Sequence, residues 1–226
     1  MKNFLFVILF VVIATTANAT ITVTPITETD FDNLDPADAV WNAQFFRLFN
    51  SSQMSVGPGL SGDDDFAGTT WAVSPSTNSF GFSIDGASNL EASANGNTPA
   101  TDPVTDAFNE IWLFLDVDST APDPADLLEI SNMTISKDTD SFVVSALEVT
   151  GGTGFVGQKI RFDDEAANIG EFSLSGVLTQ QFGSASGKSW LVSAVGVQGP
   201  IPEPESFPVL LGLMAFALVI LRRRRS

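Results

Sequence analysis

The chain has 226 residues, with 27 acidic against 10 basic side chains, a net charge of −17, and neither histidine, cysteine nor tyrosine. Lacking imidazole and thiolate, it has no means for a histidine-based triad, a thiol nucleophile or an ordinary zinc site, and its fold is held by packing or bound ions rather than disulfides. Nucleic acid and anionic membrane would be repelled, since no basic patch exists to release counterions.

At the N-terminus, Lys2, the apolar run Phe4 to Ile13 and Ala17-Asn18-Ala19 have the layout of a secretory signal peptide. Cleavage is expected after Ala19, with Ala17 and Ala19 forming the signal-peptidase site and residues 1–19 removed. Thr20 to Pro200 leaves about 181 residues, one domain's worth, enough to bury about 70% of the unfolded surface. Within it five basic residues face 25 acidic ones, hence a net charge of −20.

Thr20 to Thr24 alternates and is rich in β-branched residues, so it predicts an opening strand. Asp35-Pro36-Ala37-Asp38 offers an N-cap, a first-turn proline and a first-turn acid, and predicts a short helix over Pro36 to Phe49; the density of apolar residues there also suits a buried strand pair. Ser51 to Gly68 and Asn95 to Pro103 read as loops, and Thr69 to Val73 with Phe80 to Ile84 as antiparallel neighbours. Ile111-Trp112-Leu113-Phe114-Leu115 is apolar on both faces, the mark of a central strand. Leu128 to Ser136, Phe142 to Val149, Gln158 to Phe162, Glu171 to Thr179 with Phe172, Leu174 and Leu178 inward, and Ser189 to Val197 with Trp190 and Val192 inward complete nine or ten strands. Short strands with Gly, Ser, Asn and Pro turns and no βα rhythm predict an all-β antiparallel β-sandwich, with a jelly roll as one arrangement.

The tail changes texture at Ile201. Pro202-Glu203-Pro204 precedes an apolar run from Phe207 to Leu221, and Arg222, Arg223, Arg224 and Arg225 follow it. Fifteen residues make a helix of about 22 Å, marginal against a hydrocarbon core of about 30 Å. The arginines would be held on the cytoplasmic side, leaving the ectodomain of residues 20–200 outside the cytoplasm. In order, spacing and position this segment, residues 201–226, resembles the PEP-CTERM sorting signal. The resemblance implies processing near Pro202 to Pro204 by an exosortase, an integral membrane enzyme of Gram-negative bacteria that make extracellular polysaccharide. Pro202, Glu203 and Pro204 would be the recognition triplet and Arg222 to Arg225 the stop. The protein would be held in the inner membrane by a transmembrane helix at about 207–221, then released to the cell surface or extracellular matrix.

Several constellations invite chemistry. Gly152, Gly154 and Gly157 form a G-x-G-x-x-G, similar to the dinucleotide turn of extended short-chain dehydrogenases. That turn must open a helix, whereas Lys159-Ile160-Arg161-Phe162 reads as strand, so a glycine hairpin between strands is expected and no cofactor. Acidic clusters at Asp63, Asp64 and Asp65, and at Asp116 with Asp118, could supply the oxygen ligands calcium requires; Asp123 with Asp126, Asp138 with Asp140, and Asp163-Asp164-Glu165 are further pairs and runs. None follows the EF-hand pattern, and solvated charge is the other reading. Asp116 and Asp118, two apart and sharing one strand face, could also form a glycosidase-like pair, while acidic residues at a solvent-facing strand end are the commoner case. Trp41, Trp71, Trp112 and Trp190 are expected in the core rather than on a sugar-stacking platform. Three functions follow in order: a structural or adhesive surface or matrix protein without catalysis, a glycan-binding module for exopolysaccharide, and a carboxylate-dependent glycan hydrolase.

Overall fold

Alternation of apolar and polar side chains governs nearly every segment of the computed structural model, which describes residues 21–48, 51–60, 65–68, 76–162, 169–182 and 188–199. In chain order the elements are β1 (Ile21–Ile26), α1 (Glu28–Asp32), β2 (Ala39–Leu48), β3 (Ser51–Pro58), β4 (Asp65–Gly68), β5 (Ser76–Ile84), β6 (Asn89–Ala94) and β7 (Asn97–Pro103), followed by β8 (Glu110–Ser119), β9 (Leu127–Lys137), β10 (Asp140–Val144), β11 (Leu147–Thr150), β12 (Gly154–Phe162), β13 (Phe172–Gln181) and β14 (Lys188–Val197). They form two antiparallel sheets, ordered β1-β12-β8-β14-β2-β3-β4 and β10-β9-β13-β5-β6-β7, with β11 also paired to β9. The inner faces meet in one core in which Trp41, Phe45, Phe82, Phe162, Leu113 and Leu115 are fully buried. Burying each such side chain is worth about 1.5–3 kcal/mol, which is how the fold holds without disulfides.

The expected sandwich is therefore present, and the central strand is where both-face hydrophobicity placed it. β8 lies between β12 and β14; Ile111, Leu113 and Leu115 face the core while Phe114 is buried on the opposite face. Phe172, Leu174, Leu178, Trp190 and Val192 all point inward as expected.

Other expectations are corrected. Residues 39–48 form strand β2, not a helix: Trp41, Ala43 and Phe45 alternate into the core, and β14 and β3 take up the backbone groups on either side. Asp35-Pro36-Ala37 makes a turn instead of a helix start, with Ala37 N donating to Asp35 Oδ1 at 2.9 Å and Asp38 N to Asp35 O at 2.9 Å. The one helix among the described residues is α1, started by Thr27, whose Oγ1 accepts from Asp30 N at 3.2 Å while Asp30 Oδ2 accepts from Thr27 N at 2.7 Å. Much of the expected loop 51–68 is β3 and β4, residues 97–103 are β7, and the single strand expected over 142–149 divides into β10 and β11. Residues 69–75, including Trp71, lie outside the described residues.

The glycine motif turns out to be an arch, not a hairpin. β11 pairs with β9 in one sheet and β12 with β8 in the other, so residues 151–153 carry the chain across the sandwich. Gly151 and Gly152 have φ of 79° and 82°, and a Cβ on Gly152 would lie 2.6 Å from Asp126 Oδ2. Gly157 is needed for another reason: Ile26 Cγ1 would come within 2.6 Å of a Cβ there, so β1 and Phe114 close over bare backbone.

The last strand ends in a clamp. Asn109 Nδ2 donates to Gly199 O at 3.1 Å and Asn109 Oδ1 accepts from Gly199 N at 2.7 Å, both buried, so one amide side chain acts as a short partner strand. Beside it the buried Glu110 carboxylate meets Lys159 Nζ at 3.5 Å and Arg161 Nη1 at 3.4 Å, and accepts from Trp112 Nε1 at 3.0 Å.

Candidate functional site

The outer face of the β1-to-β4 sheet carries the most distinctive surface. Register sets it in rows: Leu191 stands between Phe46 and Asp116, with Phe155 beyond; in the next row Ser193 stands between Gln44 and Phe114; in the next, Val195 lies between Asn42 and Trp112, with Lys159 beyond. This is the face left over when Trp190, Val192 and Ala194 point inward.

Two short segments wall the face. Ile26 pairs with Gly157 and delivers α1 across the sheet, where Phe31 packs on Phe114 at 4.5 Å and Phe155 at 6.2 Å between ring centroids. Phe114 and Phe155 stack at 5.2 Å. On the other side Asn42 Nδ2 donates to Gly59 O at 2.7 Å and holds the turn that presents Leu60. Between the walls is an open groove of about 310 Å³. Glu28, Asp32 and Asp116 line it, Gln44 and Ser193 are among its polar lining residues, and among the described residues no basic side chain lines it. Ser193 is fully buried and its Oγ has no hydrogen-bond partner.

The Asp116 carboxyl is held above its ordinary range, first because it is partly withdrawn from water and then because Glu28 and Asp118 repel a second negative charge. Protonation is therefore favoured in the native state: that stabilisation is complete below the ordinary value of 3.8 and is lost as pH rises through the raised one. Asp116→Asn should accordingly raise the melting temperature at pH 7, by about 1–2 °C for an exposed position. The gain should shrink toward pH 3; a gain constant across that range would refute the account.

Asp116 and Asp118 do share one exposed face of β8, as the spacing implied. They stand along a single strand and not on facing walls of a cleft. Asp63 and Asp64 lie outside the described residues, as do residues 163–165, and of Asp65 only its place in β4 is described. Among the described residues no three acidic side chains come together in a way that could hold a metal ion. A second groove, of about 280 Å³, lies at one end of the other sheet beside Asp85, Asp138 and Glu171. Asp85 there is committed to a turn, accepting from Asn89 N, the Asn89 side chain and Ala87 N, and these bonds, those of Asn89 first, hold its carboxyl below the usual range.

Trp41 and Trp190 are core residues as expected. Trp112 departs from expectation: it is half-buried on the outer face, with Lys159 Nζ 6.0 Å from its ring centre. The groove residues Glu28, Phe31, Asp32, Gln44, Phe155 and Ser193 were not singled out from the sequence. The signal for α1 was Thr27-x-x-Asp30, whereas Ser193 takes a regular polar place in the alternation of β14 and no local signal marks it.

No protein-family model and no curated protein matches the sequence. No helix among the described residues is long and apolar enough to cross a membrane, and residues 201–226, with the sorting triplet and arginines, lie outside them, as do residues 1–20.

Proposed function

We propose that this is an exported surface or extracellular-matrix protein with a structural or adhesive role and no catalysis, matured by signal peptidase after Ala19 and by an exosortase-type enzyme near Pro202 to Pro204. The supporting observation is the spacing beyond β14. β14 finishes at Val197, the Asn109 clamp closes on Gly199, and the Pro-Glu-Pro triplet follows three residues later in the sequence. A disulfide-free, strongly acidic sandwich without histidine or cysteine agrees with a body that acts by its surface. Residues 207–221 would hold the chain in the inner membrane, with Arg222 to Arg225 cytoplasmic, until processing. Replacing Pro202, Glu203 and Pro204 together by alanine should leave an unprocessed, membrane-bound species in a host with the enzyme. Unchanged processing and location would overturn the exosortase reading.

The groove favours a second reading, glycan binding. Half-buried aromatic rings beside carboxylates and an amide combine an apolar platform with hydrogen-bonding groups, the pairing a pyranose ring requires. The ligand would be the exopolysaccharide among which such a protein is released.

A further inference from the structure

We infer that the groove between α1, Leu60 and the outer face of β8 and β14 binds a pyranose bearing a protonated amine, that is, an amino-sugar unit of a polysaccharide with free amines. The inference rests on the glycan-binding reading and narrows it.

Three independent features converge on that ligand. The first is charge: Glu28 and Asp32 from α1 and Asp116 from β8 line one groove, and among the described residues no lysine or arginine lines it. Lys159, on the same face, lies two register positions along and is drawn to Glu110, 3.5 Å away. Asp116 is already crowded by Glu28 and Asp118, so a cation there relieves repulsion as well as adding attraction. A bare metal ion is a poor answer, because no three acidic groups among the described residues converge tightly enough to ligate one. The ligand must therefore carry its charge on a larger frame.

The second feature is the unpaired Ser193 Oγ, fully buried among the groove residues, with Gln44 opposite it in register. A buried hydroxyl without a partner is costly, and a ligand that supplies one recovers that cost. The third is shape. Phe31 and Phe155 are half-buried and offer apolar surface, and about 310 Å³ has room for a sugar ring with its substituents. A lysine side chain from a protein partner would satisfy the carboxylates but bring methylenes against Gln44 and Ser193. An amino sugar brings hydroxyls there and its ammonium to the acids.

The test is calorimetric titration of the purified full chain with the β-1,4-linked glucosamine trimer, its fully N-acetylated counterpart and a lysine tripeptide. The glucosamine trimer should bind saturably, weaken with added salt, and bind about tenfold tighter than the acetylated trimer, the worth of one hydrogen bond to a charged group. Asp116→Asn and Ser193→Ala should each weaken it several-fold, while Asp138→Asn, on the other sheet, should not. If Ser193→Ala does not fold, Glu28→Gln, exposed on α1, carries the same comparison. Equal affinity for the acetylated trimer, lost in Ser193→Ala, would keep the glycan reading and overturn the amine. Equal, variant-sensitive binding of the lysine tripeptide would assign the groove to a protein partner. Binding indifferent to Asp116 and Ser193 would reduce the effect to diffuse surface charge, and binding of neither saccharide would remove the glycan reading too, leaving the sorting reading to its own processing assay.

Discussion

Gly196→Ala is expected to be among the most damaging single substitutions in the chain, destabilising by about 3 kcal/mol or more, at the upper end of what core overpacking costs. A methyl group at Gly196 would enter the Trp41 indole ring, contacting Nε1, Cε2 and Cδ1. Trp41 has nowhere to retreat, since it stacks on Phe172 at 5.8 Å and meets Phe108 edge-on at 5.3 Å. The melting temperature should fall by about 6–12 °C. Trp41→Leu, itself destabilising through the cavity it leaves, should make the second substitution far less harmful. A double-mutant cycle showing the two effects simply additive would exclude this contact as the cause.

Asn109→Ala should cost about 2–4 kcal/mol, because it leaves both the N–H and the C=O of buried Gly199 without their partner. Asn109→Asp should fall between alanine and the parent, since a carboxylate still accepts from Gly199 N but no longer donates to Gly199 O. Hydrogen exchange at the Gly199 amide discriminates further: it should accelerate strongly in Asn109→Ala while the amides of β9 and β13 stay protected. Equal acceleration everywhere would mean global destabilisation and no local clamp.

The β-sandwich was legible because its strands alternate and are punctuated by turn residues. β8 was legible in particular because Ile111 to Leu115 have no polar face to show to water. β2 was misread for a physical reason. Trp41, Phe45, Phe46 and Phe49 satisfy helical spacing, and an Asp-Pro pair serves a turn as well as a helix start; the decision came from tertiary pairing, with β14 and β3 ready on either side. The glycines of residues 151–157 were rightly expected to lead into a strand and not a helix, yet no local signal told that their two flanking strands belong to different sheets. Least legible was the groove. Its residues come from positions as distant as 28, 44, 60, 116, 155 and 191, and only strand order brings them together. Asp116 stood out from sequence; Ser193 is an ordinary serine until the sheet buries it.

The position of β14 has a consequence for the order in which the molecule can come into being. It is the last strand among the described residues, yet it sits in the middle of its sheet, joined to β8 on one side and β2 on the other. Until it arrives, β1-β12-β8 and β2-β3-β4 are two separate ribbons, each with a bare edge. The first sheet therefore cannot be completed early in synthesis. Closure waits for residues 188–197, a high-contact-order step that joins the two halves at once. A chain built this way keeps that sheet in two pieces while most of its length is made, and unites them with a single late strand.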